Sequence, residues 1–142
     1  MTARPRVVLG FDYGKKRIGV AVGQELTQTT TPLRTLNCPR GAPDWNTITR
    51  MIAEWRPDAL VVGQPCAEHG AEHAVAAAAR RFGNRLHGRY RLPVYWVDER
   101  LSSYAAERAL QEAAGRYERA DIDAHAAAVI LQTWLSSQRD AC

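Results

Sequence analysis

A chain of 142 residues, 46% hydrophobic and 24% charged, has enough apolar mass for one domain with its own core and too little charge imbalance for a disordered polymer. Its net charge of +4 inclines it towards polyanionic partners, although an excess this small also occurs on proteins that bind no nucleic acid. Three cysteines without CxxC spacing argue against a disulfide framework or a cysteine-built zinc site, no apolar run is long enough to span a bilayer, and MTARPRVVLG lacks a secretory pattern, so the expected compartment is the reducing cytoplasm.

In chain order, apolar spacing predicts strands over 7–13 and 18–23, joined as a hairpin through Gly14, Lys15 and Lys16. The threonine-rich stretch 27–36 predicts a third strand, which Pro32 confines to a sheet edge or a bulge. After the loop CPRGAP, Asp44 is placed to cap a helix that runs to Trp55 and stops at Pro57. ALVVG at 59–63 is short, apolar and rich in valine, the pattern of a central strand buried on both faces. A helix over 71–86, a strand over 94–98, a helix opened by Ser102 or Ser103 and a last helix over 123–136 complete the reading. In that last helix Ile122, Ala126, Val129 and Ile130 recur at helical spacing and are expected to face the core. The order describes an α/β domain whose sheet starts antiparallel and adds parallel strands.

Strand alternation puts Leu9, Phe11 and Tyr13 on one face and Gly10, Asp12 and Gly14 on the other. Gly19, Ala21 and Gly23 make a similar small-residue face on the second strand. If the two coincide, the sheet offers an open floor around Asp12 for a polymer backbone, close helix packing being the other use of such glycines. Asp12 belongs to a set of acids in apolar or small surroundings, with Glu99 in VYWVDERLSS and Asp123 in ADIDAHAAAVIL. Singly, Asp12 reads equally as a turn or cap residue, Glu99 as a strand-end charge and Asp123 as a helix-start acid stabilised by the dipole. Jointly they suggest carboxylates that hold a divalent cation, because an unpaired carboxylate taken out of water is costly.

The blocks FDYGKKRIGVAVG, DWNTITRMIAEWRPDALVVGQP, RRFGNRLHGR, VDERLSS and IDAHAAAVILQTWL, in this order over nearly the whole chain, resemble the YqgF (RuvX-like) family. That family is RNase H-like, related to Holliday junction resolvases and assigned to maturation of the 16S ribosomal RNA precursor. The resemblance implies an RNase H-like fold over 1–142, a mixed five-stranded sheet flanked by helices, and a metal-dependent nuclease with Asp12, Glu99 and Asp123 on the family's acidic positions. It implies two divalent ions, Mg²⁺ or Mn²⁺, with Asp12 bridging both and Glu99 and Asp123 each holding one. Two positions depart from the family pattern: Gln64 replaces an apolar residue in VVGQP, and Asp121 stands where lysine is common. Asp121 could add a ligand, and Asp98 competes with Glu99 for the inward position, which we assign to Glu99.

Phosphodiester cleavage needs an activated water and compensation of charge on the phosphate and leaving oxygen, which oxygen-liganded hard cations supply. Basic residues would position the backbone without reading sequence: Lys15 and Arg17 at the hairpin tip, Arg100 after the acidic pair, and Arg80, Arg81, Arg85, Arg89 and Arg91. A solvated helix face explains the last group equally well. Ser102 reads as a helix cap whose N-terminus could also hold phosphate. His69 and His73 lack a third ligand for zinc, His125 is the histidine near enough in sequence to Asp123 to touch the site, and the four tryptophans are expected in the core.

The expected function is therefore a nuclease on structured nucleic acid, processing the 5′ end of the 16S precursor, with ribosomal particles as partners and a monomer or homodimer as the acting form. A branched-DNA resolvase is the alternative substrate reading, and a noncatalytic ribosome-assembly module the alternative class. The hairpin also resembles the phosphate-binding hairpin of actin-like ATPases and sugar kinases, but those need a second duplicated domain that 142 residues do not supply.

Overall fold

The computed structural model describes the backbone of residues 6–14, 16–39, 42–64, 70–98 and 119–140, and the side chains of 6–14, 16–39, 42–63, 74–97 and 122–138. The elements in order are β1 (Val7–Tyr13), β2 (Arg17–Gln24), β3 (Thr29–Asn37), α1 (Trp45–Trp55), β4 (Ala59–Gln64), α2 (Gly70–Tyr90), β5 (Val94–Asp98) and α3 (Arg119–Asp140). They build one five-stranded sheet in the order β3-β2-β1-β4-β5. β1, β2 and β3 pair antiparallel, while β4 joins β1, and β5 joins β4, in parallel. This is the mixed sheet expected from the sequence. The helix expected at Ser102 or Ser103 lies outside the described residues.

Local chemistry explains the boundaries. The Asp44 side chain accepts from the Thr47 amide at 3.2 Å and from its hydroxyl at 2.7 Å, which fixes the first turn of α1. Those bonds hold the Asp44 carboxyl below its ordinary pKa. Just before Pro57, Arg56 turns left-handed at φ 48° and its amide closes α1 on the Ile52 carbonyl at 2.8 Å. On β3, Pro32 sits where the pairing with β2 slips, Val20 facing Arg34 and Ala21 facing Pro32. The proline therefore occupies both an edge strand and a bulge.

Two helices run longer than their patterns suggested. α2 continues past Leu86 to Tyr90 in spite of Gly83 and Gly88, and Gly83 is there for packing, since a side chain at that position would overlap the Trp96 ring. α3 is already helical at Arg119, where the described residues resume, so Asp123 lies beyond its first turn and not at its start.

The sheet divides the core in two. Leu9, Phe11, Ile18, Val20, Val22, Leu60 and Val62 face α1 and α2, where they pack with Ile48, Met51, Phe82 and Leu86. Val8, Ala21, Ala59, Val61 and Val97 face α3 and pack with Ala127, Ala128, Leu131, Trp134 and Leu135. The buried side of α3 thus departs from the expected one. Ile130 is buried, but Ile122 is 38% exposed and Ala126 and Val129 are only half-buried. The helix is apolar around much of its circumference from Ala124 to Leu131, so spacing did not single out a stripe, and the sheet side is taken by Ala127 and Ala128 together with Leu131, Trp134 and Leu135. Trp134 is in the core, and Trp45, Trp55 and Trp96 pack at its margin.

Candidate active site

Asp12 is the second-to-last residue of β1, and its cross-strand partner on β2 is Gly19. Opposed residues in an antiparallel pair lie about 4.5–5.5 Å apart at Cα and project to the same face. That face belongs to α3, whose backbone arrives at the same point: a Cβ on Gly19 would overlap the carbonyl of Asp123. Glycine is required here because the helix backbone occupies the volume a side chain would take. The carboxyl end of β1 and the first turns of α3 therefore bring Asp12 and Asp123 to one corner of one face.

The same contacts correct the expected open floor. Besides Gly19 under Asp123, Gly10 lies under the side chain of Leu131, and Gly23 faces Leu131 and Leu135 at van der Waals distance. The small-residue faces of β1 and β2 do coincide, but α3 covers them. Among the described residues, α3 closes approach to Asp12 across the sheet.

Arg17, the first residue of β2, donates from Nε to Asp123 Oδ2 at 2.7 Å. The pair is partly open to solvent, with side-chain exposures of 39% and 23%. A residue expected to contact only substrate phosphate is thus bonded to a candidate metal ligand, a pairing the 106-residue separation hid. Asp12 is half-buried and engaged in an interaction of its own. Lys15, Glu99, Arg100 and Ser102 lie outside the described residues, as do the side chains of Gln64, Asp98, Asp121 and His73 and the whole of His69. β5 ends at Asp98 with Val97 on the α3 side of the sheet, level with Asp12 but separated from β1 by β4. Among the described residues no three His, Cys, Asp or Glu side chains form a metal-binding group. The two carboxylates present nonetheless suit an oxygen-preferring cation.

The basic residues of α2 separate by position. Arg81 and Arg85 line a hollow with Tyr13, Pro43, Ala78 and Phe82. Arg89 lies over the Trp45 ring, its guanidinium carbon 4.2 Å from the centroid. Arg80 is exposed outside that hollow, and Arg91 follows the helix with φ 55°. Sequence reasoning missed Tyr13 as a lining residue, although its alternation with Asp12 along β1 was the available signal. His125 lines a different hollow, between α3 and β3, with Thr30, Pro32, Ala128, Val129 and Gln132.

Comparison with known proteins gives the family and the fold. A family model described as "RuvX: Holliday junction resolvase" matches residues 6–137. A protein of Nitrosococcus oceani named "Putative pre-16S rRNA nuclease" is 54% identical over 140 residues, covering 96% of this chain and 91% of its own. One of Legionella pneumophila with the same name is 50% identical over 131 residues, covering 91% and 94%. Among solved structures, Thermus thermophilus RuvC in complex with a Holliday junction superposes with a TM-score of 0.63 at 18% identity, over 96% of this chain and 98% of that one. The fold is thus that of the RNase H-like resolvases. With the family model matched over residues 6–137, the chain belongs to the RuvX Holliday junction resolvase family.

Proposed function

We propose that this protein is a metal-dependent nuclease that cleaves phosphodiester bonds in structured nucleic acid, and that its substrate is the 5′ end of the 16S ribosomal RNA precursor. The observation that carries the reading is the meeting of Asp12 and Asp123 over Gly19, with Arg17 bonded to Asp123. Two carboxylates drawn together at a strand end would repel each other, and a fold that retains them has a use for them. The names of the relatives supply the substrate class.

Asp12, Asp123 and Glu99 would hold Mg²⁺ or Mn²⁺, which when bound supplies an activated water and offsets charge on the phosphate and the leaving oxygen. Every other role falls to the chain itself. Gly19 fixes the height of Asp123 above the sheet. Arg17 orients the Asp123 carboxylate through one of its five N–H donors, leaving others for a phosphate oxygen. Lys16, exposed beside it on the β1–β2 turn, adds charge that positions the backbone without selecting sequence.

The second reading, cleavage of a branched DNA junction, is favoured by the family description and the superposition on RuvC. One experiment addresses both: labelled 5′ precursor RNA and a four-way DNA junction are incubated with wild-type protein and Asp12→Asn, with and without Mg²⁺ or Mn²⁺. Metal-dependent cleavage of the RNA, lost by about a thousandfold or more in Asp12→Asn because a metal ligand stabilises the transition state by several kcal/mol, is expected. Cleavage of the junction alone would move the substrate to DNA. Tight binding of RNA with no cleavage under any metal would make the protein a noncatalytic assembly factor.

A further inference from the structure

The hollow at the other face of β1 has no part in the chemistry above. It measures about 220 Å³, far more than one water needs, and it opens between α2 and the 43–45 segment. Arg81 and Arg85 stand one helical turn apart on α2, so their stems emerge side by side. Like charges at that spacing disfavour a helix, and among the described residues neither guanidinium has a carboxylate partner. Among the described residues the lining holds no acid, and Asp44 next to Pro43 is already bonded to Thr47. Beneath lies an aromatic wall: Phe82 is stacked on Trp45 with centroids 5.6 Å apart and tilted against Tyr13 at 5.3 Å. Arg89 covers Trp45 from outside.

We propose that this hollow binds one phosphorylated nucleotide of the substrate strand, its phosphate on Arg81 and Arg85 and its base or sugar against Tyr13, which the buried Phe82 backs. Paired guanidiniums match phosphate oxygens, and aromatic faces accept any base. Tyr13 and Asp12 are consecutive on β1 and project to opposite faces. A strand anchored in the hollow therefore reaches the Asp12–Asp123 corner by passing over the turn that carries Gly14 and the exposed Lys16. The anchor thus fixes the distance along the strand at which the carboxylates meet the backbone. This inference rests on the nuclease reading for its ligand class but not on the metal.

The test is metal-free binding of single-stranded RNA hexamers, one 5′-phosphorylated and one 5′-hydroxyl, titrated with salt. Proteins compared are wild type, Arg81→Gln with Arg85→Gln, Ala78→Leu, and Arg34→Gln, which makes the same type of charge change on exposed β3. Loss of that one phosphate contact should lower the log-log salt slope by about 0.7, the contribution of a single-strand phosphate. Ala78→Leu, which fills the hollow, should weaken binding at an unchanged slope, and Arg34→Gln should keep the wild-type slope. Loss confined to the 5′-phosphorylated hexamer assigns the hollow to a strand end, and equal loss on both assigns it to an internal phosphate. If the double variant keeps its fold by circular dichroism and binds both hexamers with the wild-type slope, the proposal is wrong while the nuclease reading stands. A wild type that binds neither hexamer, precursor RNA nor junction overturns both.

Discussion

The two faces of the sheet solve the same packing problem in opposite ways. Towards α1 and α2 the strands present Leu9, Phe11, Ile18 and Val20, and the helices answer with Phe82, Leu86, Ile48 and Met51. Large side chains fill that layer, hold the helices away and leave a hollow at its margin. Towards α3 the strands present Gly10, Gly19, Ala21 and Gly23 among their valines, and the helix answers with Ala127 and Ala128 beside Leu131, Trp134 and Leu135. At Gly19 backbone approaches backbone, and the position of Asp123 is set by main-chain contact and not by side chains that can change rotamer. A layer built from large side chains gains stability from area, and one built from small residues gains accuracy of placement.

The largest stability effect should come from the first layer. Phe82 is 3% exposed and touches Phe11, Tyr13 and Trp45, so Phe82→Ala should cost about 3–5 kcal/mol in chemical denaturation. A loss below about 1 kcal/mol, well under the range for buried aromatics, would mean that this face does not carry the core.

Next in size, Gly19→Ala should cost about 3 kcal/mol, the upper part of the range for overpacking, because the methyl meets the Asp123 carbonyl and the helix must lift. Gly10→Ala meets only the Leu131 side chain and should cost nearer 1 kcal/mol. Equal losses in the two variants would remove the distinction between backbone and side-chain contact on the α3 face. Gly19→Ala should also abolish cleavage at temperatures where it remains folded.

Smaller again, the Arg17–Asp123 pair is partly solvated, and a double-mutant cycle with Arg17→Gln and Asp123→Asn should return no more than about 1 kcal/mol. A coupling of several kcal/mol would make the pair a stabilising element of the fold in its own right. The smallest effect belongs to the Asp44 cap. Its folded pKa is depressed, chiefly by the Thr47 hydroxyl and amide. Its contribution is therefore present above the ordinary carboxylate value, about 3.9, and fades as pH falls through the lower folded value. Thermal melts from neutral to acid pH should show Asp44→Asn losing less stability than wild type in that last window, and parallel curves would refute the cap's role.

Much of this was legible in the residues because local chemistry decides it. Asp44 before a periodic stretch announced α1, Pro32 announced an edge and a bulge, and alternation put Asp12 opposite Phe11 on β1. What stayed hidden depends on which element packs where. An alanine-rich helix offers several plausible faces, so Ile122, Ala126 and Val129 looked as suitable for the core as Ala124, Ala127 and Ala128. Glycines on a strand signal a close approach without naming the neighbour, which is why the floor around Asp12 read as open when α3 lies on it. Nothing local marks Arg17 as the partner of an acid on the last helix. The hollow between Tyr13 and Arg85 likewise exists only once α2 is laid across β1.

The bulge on β3 has a bearing beyond the fold. β3 is an outer strand of the sheet, hydrogen-bonded to β2 along one side only, and such an edge is a template on which a foreign strand can continue the ladder. Pro32 contributes no amide hydrogen, the slip at Val20 and Ala21 upsets the repeat, and threonines at 29, 30 and 31 offer an incoming strand little to bury. The outer edge of β3 is thereby guarded against zipping onto copies of this chain.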